Sequence, residues 1–339
     1  MRFPLSLTRA MTRYLLERKW AGDQRFPLVL MLEPLHACNL QCNGCGRIRE
    51  YADSLDRRLT VEQCLDAADQ CPAPVVSICG GEPLLYRPLP ELISALVDRG
   101  RHIYLCTNGV LLERRLPELP RSRRLFINVH LDGMKHTHDA ACGRPGVFAA
   151  ATAGIRAAKA EDRFVCTNTT IYRETEMNEI VVLFEYLQSL GVDGMMISPA
   201  YGYASVAEQS ATCGSAIFLD RAEIIAKFRA ARKQLKGVRL LASPLYLDFL
   251  CGQRELTCAA WANPTFNTRG WRGPCYLIAD EHHSTYAEFL NRTRWSDYGP
   301  GADPRCADCM THCGFEPAAV LSAGRRWRDV LAMAAWQLT

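Results

Sequence analysis

Three cysteines, Cys38, Cys42 and Cys45, stand together in the stretch LHACNLQCNGCGRI (35–48), spaced C-x3-C-x2-C and without a fourth. Thiolates are soft ligands that favour iron–sulfur clusters or zinc. Structural zinc takes four protein ligands, so a second C-x2-C pair would be expected close by. Three thiolates around a [4Fe–4S] cluster leave one iron open to hold something else. The spacing points to a metal centre with an exchangeable position, built after an apolar run that reads as a strand.

A second group lies far along the chain: Cys258, Cys275, and then Cys306, Cys309 and Cys313 in CADCMTHC (306–313). Thiols clustered where regular structure is sparse predict a metal staple with four ligands among the five. Cys275, Cys306, Cys309 and Cys313 are the expected set, with Cys258 as a substitute. A second iron–sulfur cluster, structural zinc and no metal all remain open. His312 is expected to be a surface histidine rather than a ligand. Cys64 and Cys71, in a helix-like stretch, and Cys142, in a loop, are expected to be small buried hydrophobes.

These groups need a frame. From residue 27 the chain alternates short apolar runs with helix-like stretches. PLVLMLE (27–33), PVVSIC (74–79), HIYLC (102–106), LFINVHL (125–131), FVCTNTTIY (164–172) and GMMISP (194–199) read as strands covered on both faces. Helices are expected near 60–70, 88–99, 110–118, 146–160 and 178–190, the first opened by Thr60 with Gln63 at the capping-box position. The alternation implies about six right-handed βαβ units around a parallel sheet, closed partly into a barrel or lying flat. The cysteine triplet then falls in the loop after the first strand, at the face where active sites collect. After about residue 245 the rhythm stops. Three parts result: a basic N-terminal segment (1–26), an α/β core (27–245) and a Cys-rich, mostly irregular extension (246–339).

Composition sets the bounds. The chain has 339 residues, 48% hydrophobic and 22% charged, as a globular protein does, but sixteen cysteines is a high count. The start lacks a continuous apolar centre with a small-residue cleavage site, so no signal peptide is expected. In a large chain read as cytoplasmic, metal or redox chemistry is expected rather than disulfides. No run of apolar residues is long enough for a spanning helix. The whole net charge of +4 resides in residues 1–26, where Arg2, Arg9, Arg13, Arg18, Lys19 and Arg25 outnumber Glu17 and Asp23. Leu5, Leu7, Met11, Tyr14, Leu15 and Trp20 roughly follow helical spacing among those arginines. The segment is expected to be a helix lying on an anionic membrane surface or packed on the main domain. No basic–aromatic interleaving beyond it points to nucleic acid.

C-x3-C-x2-C after the first of half a dozen βα units resembles the radical S-adenosylmethionine (SAM) superfamily. GGEPLL (80–85) after the second strand is similar to its GGEP motif, and CTNG (106–109) and HLDG (130–133) resemble segments lining its SAM pocket. The resemblance implies a partial (β/α)6 TIM-type barrel. It implies a [4Fe–4S] cluster on Cys38, Cys42 and Cys45 whose open iron binds the amino and carboxylate groups of SAM. It places the backbone of Gly80, Gly81 and Glu82 at the SAM amino group, with Pro83 stiffening the turn. Asn108, Asp132 and Asn168 become candidates for the pocket's polar groups. Cys258-x11-Gly270-x4-Cys275 also resembles the auxiliary-cluster domains attached to some members.

A finer resemblance runs from about residue 10 to 325. FPLVLMLEPLHACNLQCNGCGRI, RLTVEQCLDAADQCPAPVVSICGGEPLL, VHLDGMKHTHD, WANPTFNTRGWRGPCYL and CADCMTHCGFEPAAV look like the hopanoid-pathway adenosyl-hopene transferases. Arg47, where lysine is expected, and Cys79 before the glycines depart from that pattern. The resemblance implies addition of the 5′-deoxyadenosyl radical to the alkene of diploptene, a hydrophobic triterpene, forming adenosylhopane. The resulting carbon radical must be quenched, and strand alternation puts His102, Tyr104 and Cys106 on one face, with Cys106 nearest the SAM pocket. Cys106 is the expected hydrogen donor, with Cys79, Cys166 and Tyr104 as rivals. A one-electron reductant such as flavodoxin or ferredoxin, and contact with the inner face of the membrane, complete the expectation. Two alternatives stay open: hydrogen abstraction from a peptide or small molecule with an auxiliary cluster, and a non-enzymatic iron–sulfur or zinc protein.

Overall fold

The computed structural model describes residues 2–202, 206 and 217–338. In it the six apolar runs are the strands β1 (Val29–Leu32), β2 (Val75–Ile78), β3 (His102–Thr107), β4 (Leu125–His130), β5 (Phe164–Ile171) and β6 (Gly194–Pro199). Each pairs in parallel with the next. Among the described residues, the helices of ten residues or more are α1 (Leu5–Trp20), α2 (Val61–Gln70), α3 (Leu89–Asp98), α4 (Val147–Ala160), α5 (Met177–Ser189), α6 (Arg221–Ala231), α7 (His312–Ala323) and α8 (Trp327–Leu338). The expected Thr60–Gln63 capping box opens α2, with both reciprocal bonds made. The stretch near 110–118 is a short helix, Leu112–Arg115, tightening into a 3-10 turn.

Both faces of the sheet are covered, which is why its strands read as continuous apolar runs. All four residues of β2 are buried. On β3, Ile103 and Leu105 join the main core with Leu89, Leu92 and Leu96 of α3. Tyr104 and Cys106 point the other way, into the barrel. Burying a Leu or Ile side chain contributes about 1.5–3 kcal/mol, so this outer layer fixes the strand register that aims the inner residues.

The chain beyond β6 holds more regular structure than its composition suggests. β7 (Thr265–Asn267) pairs in parallel with β1, and β8 (Gly270–Pro274) and β9 (Ala279–His283) follow antiparallel, giving the order β6-β5-β4-β3-β2-β1-β7-β8-β9. The cysteines sit in the irregular stretches around this ribbon and at the start of α7. The result is the expected partial (β/α)6 barrel with a Cys-rich C-terminal region. β6 and β9 are the two ends of the sheet, so the barrel does not close on itself.

The N-terminal segment is a helix, and one face of it packs on the main domain. Leu7 packs with Val75, Tyr104 and Phe126, and Tyr14 with Phe26 and Leu28. Its start meets α8: Phe3 and Trp336 pack edge to face at 5.6 Å, and Gln337 Nε2 donates to Phe3 O and Thr8 Oγ1. The C-terminal end of α1 touches the turn before α8, where Lys19 Nζ lies against Gly324. The two helices therefore run antiparallel beside the open barrel.

Candidate active site

The side chains that alternate inward along the strands enclose one large cavity of about 1580 Å³. Ser77, Tyr104, Cys106, Asn128, His130 and Asn168 line its wall. Exposed His136, Glu174 and Glu176 border it beyond the C-terminal ends of β4 and β5. Exposed Leu5, Leu16, Val330 and Leu338 border it between α1 and α8. The cavity thus has a polar mouth and an apolar one.

Cys38, Cys42 and Cys45 come together on the polar side, half-buried and facing the cavity. The loop that carries them is held from several directions. The Leu40 N–H donates to Cys38 Sγ at 3.4 Å, the Cys45 N–H to Cys42 O, and Arg49 to the carbonyls of Cys42 and Cys45. Burial pushes the Cys38 thiol up to about 12 and raises Cys45 as well, so cluster binding there must displace protons. Three convergent thiols, an N–H donor to sulfur and open space in front of them fit a [4Fe–4S] cluster.

GGEP packs directly on this loop. The Gly81 N–H donates to Leu35 O and the Glu82 N–H to Ala37 O. A Cβ at Gly81 would overlap the carbonyl oxygens of Ala37 and His36, and Gly80 adopts a left-handed φ of 105° against Leu35 O. The glycines are needed for close approach of the cysteine loop itself, a reason the sequence did not reveal. The Glu82 side chain is buried at the cavity's edge. It accepts from Thr107 Oγ1 at 2.7 Å and from the N–H groups of Asn108 and Leu84, tying the β2 loop to the β3 loop. Burial raises its pKa against those bonds. Pro83 opens the buried 3-10 turn that follows.

Asn108 reaches the triplet: its Nδ2 donates to Asn39 Oδ1 at 2.8 Å and lies 3.8 Å from Cys38 Sγ. Asp132 and Asn168 meet through His130. Asp132 Oδ2 is 2.7 Å from His130 Nε2, and Asn168 Nδ2 is 3.3 Å from His130 Nδ1. Burial works against the Asp132 carboxylate, yet His130 and the Thr170 N–H hold its pKa below the usual range. Burial likewise opposes the charged imidazole, but Asp132 outweighs it and raises His130 to about 8. His130 lay inside the HLDG segment without being singled out; the strand parity applied to β3 would have placed it inward.

Cys106 faces the cavity deeper than the triplet. Its Sγ is 3.3 Å from Ser77 Oγ and 3.5 Å from Asn128 Nδ2, and burial raises its pKa, keeping it a thiol. Tyr104 and Cys79 also touch the cavity, whereas Cys166 is fully buried behind Asn128. Below Cys106 the wall is mainly apolar, with Leu7, Met11, Val29, Val75, Leu241 and Met333.

All five C-terminal cysteines converge on a separate cavity of about 50 Å³. Cys275 Sγ accepts from the N–H groups of Leu277 and Ile278, and Thr311 Oγ1 lies 3.1 Å from Cys313 Sγ and 3.5 Å from Cys309 Sγ. Cys258 Sγ presses on Gly314, where any Cβ would collide with it. Among the described residues no three His, Cys, Asp or Glu side chains already gather as tightly as a bound metal ion requires. Thiols ringed around a small space, with N–H donors to sulfur, can hold a polynuclear cluster or a zinc ion. His312 is not at the surface. It opens α7 on the wall of the large cavity, outside the cysteine ring, and burial lowers its pKa to about 4.

Arg47 stood in the sequence only as a departure from an expected lysine, and Arg272 and Glu316 escaped the sequence reading. Arg47 joins the two cysteine regions: its Nε pairs with buried Glu33 at 2.9 Å, its Nη2 donates to Tyr276 O, and its guanidinium stacks 4.2 Å from the Tyr276 ring. Burial opposes ionisation of Glu33, but Arg47, His36 and Arg272 hold its pKa down at about 2. Fully buried Arg272 bonds Glu50, Tyr51 and the carbonyls of Cys275 and Leu277. Glu316, one turn after His312, faces the cavity wall, accepts from the Ser243 N–H, and is pushed up by burial to about 7.

Residues 32–187 match the radical SAM superfamily, and residues 195–333 match a domain of unknown function, DUF3463. Over 159 residues the chain is 30% identical to the Fe-coproporphyrin III synthase of Methanosarcina barkeri, covering 44% of this chain and 38% of that protein. Over 284 residues it is 26% identical to the PqqA peptide cyclase of Granulibacter bethesdensis, covering 80% and 72%. Its fold is similar to that of Streptococcus suis SuiB bound to the precursor peptide SuiA, with a TM-score of 0.59, 14% identity and coverage of 76% and 62%. The chain thus spans less than half the length of the M. barkeri synthase that it matches.

Proposed function

Taking the chain as a radical SAM protein that carries a DUF3463 domain, we propose that it adds the 5′-deoxyadenosyl group to a large apolar alkene, the double bond of diploptene, and so forms adenosylhopane. The superfamily's cofactors, a [4Fe–4S] cluster and SAM, are this chain's. When bound, the cluster would pass one electron, taken up from an external one-electron reductant, to the SAM sulfonium, so that a C–S bond breaks to give methionine and the 5′-deoxyadenosyl radical. Cys38, Cys42 and Cys45 would hold the cluster. The backbone of Gly80, Gly81 and Glu82, with Asn108, Asp132 and Asn168, would hold SAM, His130 fixing the last two relative to each other.

The observation that carries this reading is the apolar floor of the cavity. At about 1580 Å³ the cavity exceeds the range of about 300–1,000 Å³ usual for small-molecule sites, and below Cys106 it is lined mainly by apolar side chains, among them Leu7, Met11, Val29, Val75, Leu241 and Met333, with Thr8, Thr12 and Gln337 at its edge. Addition of the adenosyl radical to the terminal alkene carbon forms a C–C bond and leaves a tertiary carbon radical. The Cys106 S–H bond is weaker than the new C–H bond, so a hydrogen atom passes from sulfur to carbon. The thiyl radical left behind takes up one electron, from a reductant such as flavodoxin or ferredoxin, and one proton. A second cluster on Cys275, Cys306, Cys309 and Cys313, with Cys258 as substitute, would border the same cavity, since Cys313 lines both.

A second reading rests on the relatives. PqqA peptide cyclase and SuiB, the latter bound to a precursor peptide, speak for hydrogen abstraction from a peptide or small molecule with an auxiliary cluster. By name these relatives favour abstraction over addition; the apolar floor favours addition. Anaerobic incubation with SAM, a reductant and diploptene, followed by mass spectrometry, separates them. Addition yields an adenosylated triterpene, with SAM consumed one for one, and Cys106→Ala then loses most of the saturated product while still cleaving SAM. Abstraction leaves free 5′-deoxyadenosine and unaltered diploptene. No reductive SAM cleavage after reconstitution would return the chain to a non-enzymatic metal protein.

A further inference from the structure

The apolar mouth of the cavity is framed by two helices whose outer faces have no protein cover. On α8, Leu331, Ala334 and Leu338 lie four, seven and eleven residues after Trp327 and form a single exposed stripe with it. Trp327 is 68% exposed and Leu338 71%. On α1, Leu5, Leu16 and Trp20 are exposed along one side with Arg9 and Thr12 between them, and Trp20 is 83% exposed. Folded chains rarely leave this much apolar side chain open to water beside a cavity without a use for it. The two helices border the same opening: Leu5 and Leu16 on one side, Val330 and Leu338 on the other, line the cavity they flank.

The charges around these side chains choose the occupant. Arg9, Arg13 and Lys19 are exposed on α1, and Arg325, Arg326 and Arg328 at the start of α8. Against these six stand Glu17, already paired with Arg13 at 2.6 Å, and Asp23, paired with Arg18 at 3.1 Å, while Asp329 is buried on Arg254. A peptide-binding groove has no need of a cationic rim around two tryptophans at the helix ends. An anionic lipid surface does, because its headgroups attract the arginines while the acyl region takes the aromatic and aliphatic side chains. Among the described residues no helix is long and apolar enough to cross a membrane, so the contact lies in the interface plane.

We propose that α1 and α8 together form a docking face for an anionic bilayer, with the apolar mouth between them opening onto the lipid. The docking face stands on the two helices alone; passage of substrate through it rests on the apolar-alkene reading. The mouth then takes water-insoluble molecules from the membrane while SAM enters through the polar one.

Co-sedimentation of the full chain with phosphatidylcholine vesicles, with and without phosphatidylglycerol, tests the docking. Binding is expected only with the anionic lipid, to weaken by about tenfold or more in Trp327→Glu/Leu331→Glu, and to weaken further with salt. These side chains are exposed, so the variant folds, which an unchanged melting curve and unchanged SAM cleavage in detergent verify. Equal binding by the variant, no binding by the parent chain, or a sedimentation-velocity dimer that the same substitutions abolish would overturn the proposal. The last outcome would assign the face to a second copy. Vesicle binding without adenosylation of embedded diploptene would overturn the substrate reading and leave the docking face intact.

Discussion

The molecule gathers cysteines twice, and the two sites differ in what surrounds the sulfurs. Cys38, Cys42 and Cys45 look out on a cavity of about 1580 Å³, beside the backbone of Gly80–Glu82 and the amide of Asn108. The five C-terminal thiols ring about 50 Å³, walled by Trp261, Tyr276 and Trp295. Fewer thiols with more room make a site that can admit and release a ligand. More thiols in a tight ring make one suited to a resident metal. The count of sulfurs matters less than the free space in front of them, and that space is set by whether the loop sits at a strand end or inside packed aromatic rings.

Cysteine replacement breaks this contrast most directly. Cys42→Ala is expected to abolish reductive SAM cleavage and to lower bound iron by about four per chain after reconstitution. Cys309→Ala is expected to lower iron by a similar amount yet leave measurable SAM cleavage. Loss of cleavage in both, or iron unchanged in the second, would end the distinction. Arg272→Met tests whether the two sites are independent. Removing a buried charge from Glu50, Tyr51 and the Cys275 carbonyl should destabilise the fold by about 3–5 kcal/mol, read by denaturant melts. The iron signal of both sites should weaken together, because Arg47 and Arg272 share one network. The smallest effect concerns His130. Its folded pKa is raised to about 8 from 6.5, so the stabilisation from its pair with Asp132 is present below about 6.5 and lost as pH rises through about 8. Solvent screening from the cavity keeps this below about 1 kcal/mol. His130→Gln should flatten that part of the stability–pH curve, and an unchanged curve would remove the charged pair from the site.

Much of this was legible in the sequence where the signal is local. Strands covered on both faces read as unbroken apolar runs, and their parity correctly sent Cys106 and Tyr104 inward. The cysteine spacing and GGEP fall in loops that the strands place side by side. What stayed hidden depends on distant contacts. The strand Ala279–His283 is polar and half exposed, so nothing in it announced a sheet edge reached through β1. His312 reads as a polar residue in a loop, but it begins a helix that faces the cavity. Arg47 stood out only as a departure from an expected lysine. The structure uses its planar fork for Glu33, the Tyr276 carbonyl and the Tyr276 ring at once, which a single ammonium cannot do.

The meeting of α1 with α8 also bears on how the first helix is held. Arg2 and Phe3 are tied to Trp336 and Gln337, partners more than three hundred positions away. Leu7 and Tyr14 of the same helix pack on Val75, Tyr104 and Phe126 of the barrel and on Phe26 and Leu28 before it, so α1 has a seat there that does not depend on α8. The two sets of contacts clamp the first helix across the barrel floor, and loosening the α8 end would free Arg2 and Phe3 while Leu7 stayed in place.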